Sequence, residues 1–160
     1  MTEATVAGIS PEDWRLVGHL VAAGATIDSR AVRGGEVFVA IEGQRRDGHE
    51  FIVESFEAGA AAVLVRRSWW SRRKAARAQG IHLLVDDPVK AMQAWAAALR
   101  QAVAPRVVAV TGSSGKSTTK ELILALLHDR GDVVGTARNY NNEIGLPWTL
   151  LRMRSRTRLV

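Results

Sequence analysis

The sequence contains no cysteine, which excludes a disulfide framework and any cysteine-ligated metal site and fits a reducing compartment. No stretch approaches the roughly 18 uninterrupted apolar residues that would announce a membrane span. The start, MTEATVAGISPEDW, has no basic segment followed by a long apolar one, so it does not read as a secretory signal. Internal repeats and low-complexity tracts are also missing. These absences lead to an expectation of the cytoplasm. What is present agrees with an ordinary globular chain: 47% of the 160 residues are hydrophobic and 24% are charged, enough apolar side chains to bury a core.

A net charge of +6 raises the question of nucleic acid, and its distribution bears on the answer. Six basic residues crowd into residues 66–77, RRSWWSRRKAAR. That cluster has two readings: a surface that pairs phosphates and stacks bases, or a solvated connection whose Trp69 and Trp70 pack back onto the domain. No nucleic-acid module surrounds it, so no nucleic-acid partner is expected. Arg152, Arg154, Arg156 and Arg158 alternate at strand-like spacing, which predicts one solvent-facing side of a strand.

Along the chain, strand-like and helix-like segments alternate, the pattern of an α/β fold. Residues 36–41 (EVFVAI) follow a Gly34-Gly35 turn and read as a strand. Residues 50–58 read as a short helix closed by Gly59. The runs 61–65 (AAVLV) and 82–85 (HLLV) have the length and composition of buried strands. Pro88 opens a helix reaching Val103, with Met92, Trp95, Ala96, Leu99 and Val103 on one apolar stripe. Ala104-Pro105 ends it and marks the expected boundary between a small α/β domain, residues 1–104, and a second domain begun by residues 105–160. There, residues 107–110 read as a second buried strand, 116–130 as an amphipathic helix and 132–136 as another strand after Gly131. This βαβ order implies a parallel pair with a right-handed crossover.

The sharpest chemistry lies between the first two of these, in VVAVTGSSGKSTTKELI, residues 107–123. Gly112 and Gly115 allow a tight turn that brings N–H groups close to an anion, with Ser113 and Ser114 between them. The helix beginning next to Lys116 aims the positive end of its dipole at the same place. Lys116 supplies mobile positive charge for the β- and γ-phosphates, and is the candidate catalytic residue. The Ser117 hydroxyl suits a Mg²⁺ ion that also binds substrate phosphates, with the Thr118 hydroxyl nearby. Val110 stands where a full G-x-x-x-x-G-K-[ST] loop has its first glycine. The competing reading is a plain strand-to-helix turn with an exposed lysine, and the flanking strand and helix argue against it. ATP with Mg²⁺ is the expected cofactor.

TGSSGKSTTKELI together with ARNYNNEIGLPWTLLRM resembles the Mur ligases of peptidoglycan synthesis, and NYNNEIGLP is the most selective string. The shortened loop with valine at 110 belongs to that family's pattern. Ser-Ser between the glycines, then Lys120-Glu121, is most similar to the branch that joins D-alanyl-D-alanine to a UDP-N-acetylmuramoyl-tripeptide. The first half, IDSRAVRGGEVFVAIEGQRRDGHEFI and then EAGAAAVLV, is similar to the family's first domain, which holds the UDP end of the substrate. The resemblance implies a fold of a small N-terminal Mur-ligase-type α/β domain followed by the start of a P-loop parallel-sheet ATPase domain. It also implies an ATP-dependent amide ligase working through an acyl phosphate, with UDP-N-acetylmuramoyl-tripeptide and D-alanyl-D-alanine as substrates. Ser29 and Arg30 would lie near the nucleotide-sugar, with Asp47, Gly48 and His49 in a loop close by. Read from the residues alone, Asp28-Ser29-Arg30 is equally a capped turn with a surface ion pair, and His49 a helix-start residue.

The asparagines also carry two readings. Asn139, Asn141 and Asn142 can simply build a turn, or can offer amides to substrate at the carboxyl end of a strand, where ligands of open α/β sheets gather. Substrate contact is the expectation, with Asn141 and Asn142 ahead of Asn139. The first 26 residues and the segment 66–80 depart from the family pattern. Residues 158–160 read as the opening of a strand that family members continue, so the chain is expected to be an incomplete and inactive portion of a ligase. The alternative is a non-catalytic module binding ATP or a UDP-sugar.

Overall fold

The computed structural model describes residues 5–7, 23–43, 46–72, 80–127, 129, 131–137 and 140–160, and the chain divides into two compact units between Trp95 and Ala96. In the first unit, strands β1 (Thr5–Ala7), β2 (Ala25–Thr26), β3 (Val37–Val39), β4 (Ala62–Arg66) and β5 (Ile81–Val85) form one sheet in the order β1-β5-β4-β3-β2. All four pairings are parallel. A parallel sheet needs apolar side chains on both faces, and these strands provide them. Phe38, Ala40, Val63, Val65 and Leu84 join Ile52 and Ala60 in a buried cluster, while the intervening Val37, Val39, Ala62, Leu64, Leu83 and Val85 are buried as well.

Short helical segments connect the strands. Residues 50–58 form a 3₁₀ turn, Gly48–Phe51, running into helix α1, Ile52–Glu57. The expected helix therefore starts with a tighter turn, because the Asp47 carboxylate accepts the His49 N–H and caps a 3₁₀ start. Gly59, at φ +97°, closes it as expected. Helix α2, Arg67–Arg72, follows β4 directly, and its Trp69 and Trp70 pack against the core cluster. Within the described part of the basic segment the tryptophans thus fold back, and residues 73–79 lie outside the described residues. Helix α3, Pro88–Val103, begins at the expected proline. Its stripe is buried at Met92, Trp95 and Ala96 and half-buried at Leu99 and Val103.

The second unit differs more from expectation. Residues 107–110 do not form a buried strand: Val107 and Val108 are 49% and 46% exposed. The chain there is paired at its start, with Arg106 exchanging both backbone hydrogen bonds with the Arg158–Val160 segment and Val108 donating to the Val160 carbonyl (2.9 Å each). Val133 pairs on the other side of Leu159, again in parallel. Residues 106–108 and 132–134 are therefore parallel, as the βαβ order implies, but flank Leu159 instead of pairing with each other. The expected helix is present as α4, Lys116–Leu127, but it has no buried residue, and Leu122 and Leu126 are exposed. A fifth helix, α5, spans Gly145–Leu150. Arg152, Arg154, Arg156 and Arg158 are exposed as expected, but Arg158 alone of the four lies in the paired segment, bonded to Arg106 and Asp132. Before it the chain turns, because Thr149 and Leu150 carbonyls accept the Arg152 and Met153 N–H groups and the Arg154 carbonyl accepts that of Thr157.

Leu64 in the first unit and Leu126 in the second sit in opposite surroundings. Leu64→Ala, in the middle of the sheet, is expected to cost about 2–5 kcal/mol, whereas Leu126→Ala, at 79% exposure, should stay within about 0.5 kcal/mol. Urea unfolding followed by tryptophan fluorescence checks the contrast, and equal losses for both would contradict the placement.

Candidate functional site

The glycine loop, residues 111–115, is built by what precedes and follows it. Pairing of Arg106 with residues 158–160 directs the chain toward the carboxyl edge of the parallel segments. There it turns through Thr111-Gly112-Ser113-Ser114-Gly115, all exposed. Gly112 and Gly115 adopt φ of +148° and +77°, conformations that a side-chain-bearing residue rarely takes. The Gly115 carbonyl accepts the Thr119 N–H at 2.9 Å. The N–H groups of the first turn have no partner within the helix, so the 12-residue α4 presents them together with the positive end of its dipole. Lys116 folds back over this loop and donates to the Gly112 carbonyl. Ser117 and Thr118 are exposed at the same end.

A cleft of about 360 Å³ adjoins the loop, and Lys116, Ser117, Lys120, Thr136 and Asn141 supply its polar wall. Apolar side chains face it from Val107 to Val110 on one side and from Ile123, Leu124 and Val134 on another. Of the three asparagines, Asn141 borders this cleft and Asn139 lies outside the described residues. The Asn142 side-chain oxygen accepts the N–H groups of Gly145 (2.7 Å) and Ile144 (3.3 Å), and so caps α5. The segment is tight: a Cβ on Gly145 would lie 2.5 Å from the Cα of Tyr140, whose ring meets Trp148 edge-on at 4.9 Å.

In the first unit, Asp28 caps a 3₁₀ turn, Ser29–Ala31. Arg30 grips the same carboxylate through Nε at 2.9 Å and Nη2 at 2.8 Å. These hydrogen bonds hold the Asp28 carboxyl below its ordinary pKa. The capped turn with an ion pair is thus present, with the Arg30 side chain 80% exposed. Ser29 is buried, and its hydroxyl donates to the Glu54 carboxylate at 3.3 Å. In the second loop, Gly48 donates to the Ile41 carbonyl at 2.9 Å. His49 is buried, with Nδ1 2.6 Å from the Asp47 carboxylate and Nε2 accepting the Arg66 backbone N–H at 3.1 Å. A backbone N–H can only donate, so the ring carries its proton on Nδ1 and donates it to Asp47. Trp69 stacks on that ring at 5.0 Å. His49 therefore secures the 47–49 loop to β4.

Sequence reasoning passed over three groups that the structure brings to these places. Lys120 and Thr136 wall the cleft, and Glu54 partners Ser29. Only Lys120 had a local signal, four residues after Lys116 and so on the same helix face.

The sequence model described as the Mur ligase family, catalytic domain, matches residues 22–114, more than half of the chain. The chain belongs to the Mur ligase family. The Mur ligase middle domain matches residues 110–160, beginning at the valine that opens the shortened loop. Among Mur ligases, the chain is 41% identical over 137 residues to the UDP-N-acetylmuramoyl-tripeptide–D-alanyl-D-alanine ligase of Bacillus subtilis, covering 85% of the chain and 29% of that relative. Two solved structures are similar. MurF from Acinetobacter baumannii superposes with a TM-score of 0.67 at 32% identity, covering 84% of this chain and 28% of that one. The MurF ligase of Thermotoga maritima in complex with ADP gives 0.65 at 36% identity, covering 88% and 31%. The chain thus spans less than a third of the length of these Mur ligases.

The Asn142 cap carries a checkable cost. Asn142→Ala is expected to lose about 1 kcal/mol of stability in the second unit, with Asn142→Asp retaining most of it. Thermal unfolding of both variants tests this, and equal losses would remove the capping role.

Proposed function

We propose that this chain provides the ATP-holding loop and the UDP-sugar-holding unit of a ligase that adds D-alanyl-D-alanine to UDP-N-acetylmuramoyl-tripeptide in peptidoglycan precursor synthesis, in the cytoplasm. The observation that carries this reading is the loop itself. Two positive-φ glycines, a lysine and a helix N-terminus converge where parallel segments end, in a chain 36% identical to a ligase solved with ADP. The boundary between the two functional parts is assigned to Ala104-Pro105, where α3 stops, nine residues beyond the last residue of the first compact unit, Trp95.

The residues present fit a triphosphate. Exposed glycines leave room for phosphate oxygens beside the loop, the free N–H groups of the first turn of α4 can donate to them, and Lys116 can leave the Gly112 carbonyl for a phosphate. ATP, when bound, supplies the phosphoryl group that activates the substrate carboxylate for attack by the dipeptide amine. Lys116 and the loop amides neutralise phosphate charge and hold the chain of phosphates in line. Ser117 is the chain's proposed ligand for Mg²⁺. Phosphate oxygens and water would share the ion's shell with it. Asn141, on the cleft wall, is assigned to substrate, as is Asn139, while Asn142 serves the same segment as its cap. In the first unit, Arg30 and the Gly48 loop are assigned to the UDP end, with Ser29, Asp47 and His49 holding them in place.

Calorimetric titration with Mg·ATP tests the loop. Lys116→Ala is expected to weaken binding by roughly tenfold or more, the loss of one charge-assisted contact, and unchanged affinity would overturn the assignment. Phosphate release that requires UDP-muramoyl tripeptide, D-alanyl-D-alanine and ATP together would show ligation by this chain. ATP binding without release would make it a nucleotide-holding module.

A further inference from the structure

Lys116 and Lys120 stand one helical turn apart on α4, and both border the cleft, yet they are held differently. Lys116 reaches its own loop at Gly112. Lys120 reaches across to the Thr136 carbonyl, sixteen residues away in sequence, at 2.7 Å, and its ammonium also meets the Glu121 carboxylate at 2.8 Å. Its side chain is only 16% exposed. A charge so nearly removed from water is costly unless paired and hydrogen-bonded, and these two acceptors supply what it needs.

Thr136 is where the chain leaves its pairing with Leu159 and starts toward the asparagines. Neighbouring contacts grip the same point. Leu124, one turn beyond Lys120, lies so close that a Cβ on Gly135 would fall 2.5 Å from its Cδ1. Arg152 donates from Nη1 to the Gly135 carbonyl at 3.4 Å. We propose that Lys120 is a positioning residue that ties the helix springing from the phosphate loop to the segment carrying Asn141 and Asn142, so that the two sides of the cleft keep a set spacing and nucleotide in the loop steadies the asparagines. Its functional meaning rests on the phosphate reading of the loop, whereas the tether itself does not.

Amide hydrogen exchange by NMR, with and without Mg·ATP, tests this on the whole chain carrying Lys120→Met, Lys120→Gln or Lys120→Arg. The amides to follow are those of Tyr140, Ile144 and Gly145, which donate within the segment. In the nucleotide-free Met and Gln variants they should exchange roughly tenfold faster, the equivalent of one charge-assisted hydrogen bond. Arg should restore the parent rate. Mg·ATP should slow these amides in the parent and Arg chains but not in the Met chain, whose ATP affinity should stay within about threefold of the parent, since its phosphate contacts are intact. Unchanged exchange in the Met and Gln variants would overturn the proposal, as would failure of Arg to restore it. A loss of ATP affinity matching that of Lys116→Ala would instead make Lys120 a phosphate ligand and overturn it too. If the parent chain bound no ATP, the phosphate reading would fall, and the nucleotide-free comparison would still decide the tether; circular dichroism of the Gln variant separates its effect from unfolding.

Discussion

In each unit the paired strands run in one direction, so the chain leaves every strand at the same edge of its sheet. Parallel pairing cannot be closed by a hairpin, and each connection must travel back along the sheet before the next strand begins. The consequence is a gathering of loops. In the first unit the 47–49 loop follows β3, and Arg66, whose N–H binds His49, ends β4. In the second, residues 106–108 lead to the phosphate loop and residues 132–134 lead to the asparagines, with Leu159 holding both segments in register. Chemistry collects where strands end because the backbone geometry leaves it nowhere else to go.

The polar groups at that edge divide into those that build and those that face outward. The Asn142 side-chain oxygen, the His49 ring and the Ser29 hydroxyl are engaged by the protein, in a helix cap, a loop-to-strand post and a hydrogen bond to Glu54. An atom so engaged gives up a bond worth about 1 kcal/mol before it can meet a ligand. Arg30, Asn141, Ser117 and the loop glycines are exposed at the same places.

The strands at 61–65 and 82–85 were legible because a strand buried on both faces is apolar at nearly every position, His82 being the buried polar exception. The same pattern misled at residues 107–110. Burial depends on what covers the two faces, and no local window contains that information, so Val107 and Val108 turned out half-exposed. The tight turn at Gly112 and Gly115 and the helix after it were legible from glycine spacing and the residues that follow. The asparagine string offered two readings, and the structure shows the cap at Asn142 while placing Asn141 on the cleft. Lys120 escaped notice as a tether because its partner is a backbone carbonyl sixteen residues away, and backbone acceptors leave no trace in side-chain chemistry. His49 was open to either role for a related reason: its fixing partner is the Arg66 N–H, which any residue at that position would supply.

The claim on which the rest hangs is that the backbone from Gly112 to Thr118 holds phosphate. Titrating ¹⁵N-labelled protein with Mg·ADP and following the amide resonances addresses it directly. The largest shifts should fall on Ser113 through Ser117, with smaller ones along the cleft at Asn141, and inorganic phosphate should move the same loop resonances at higher concentration. Shifts confined to other residues, with the loop amides unmoved at saturating nucleotide, would contradict the account.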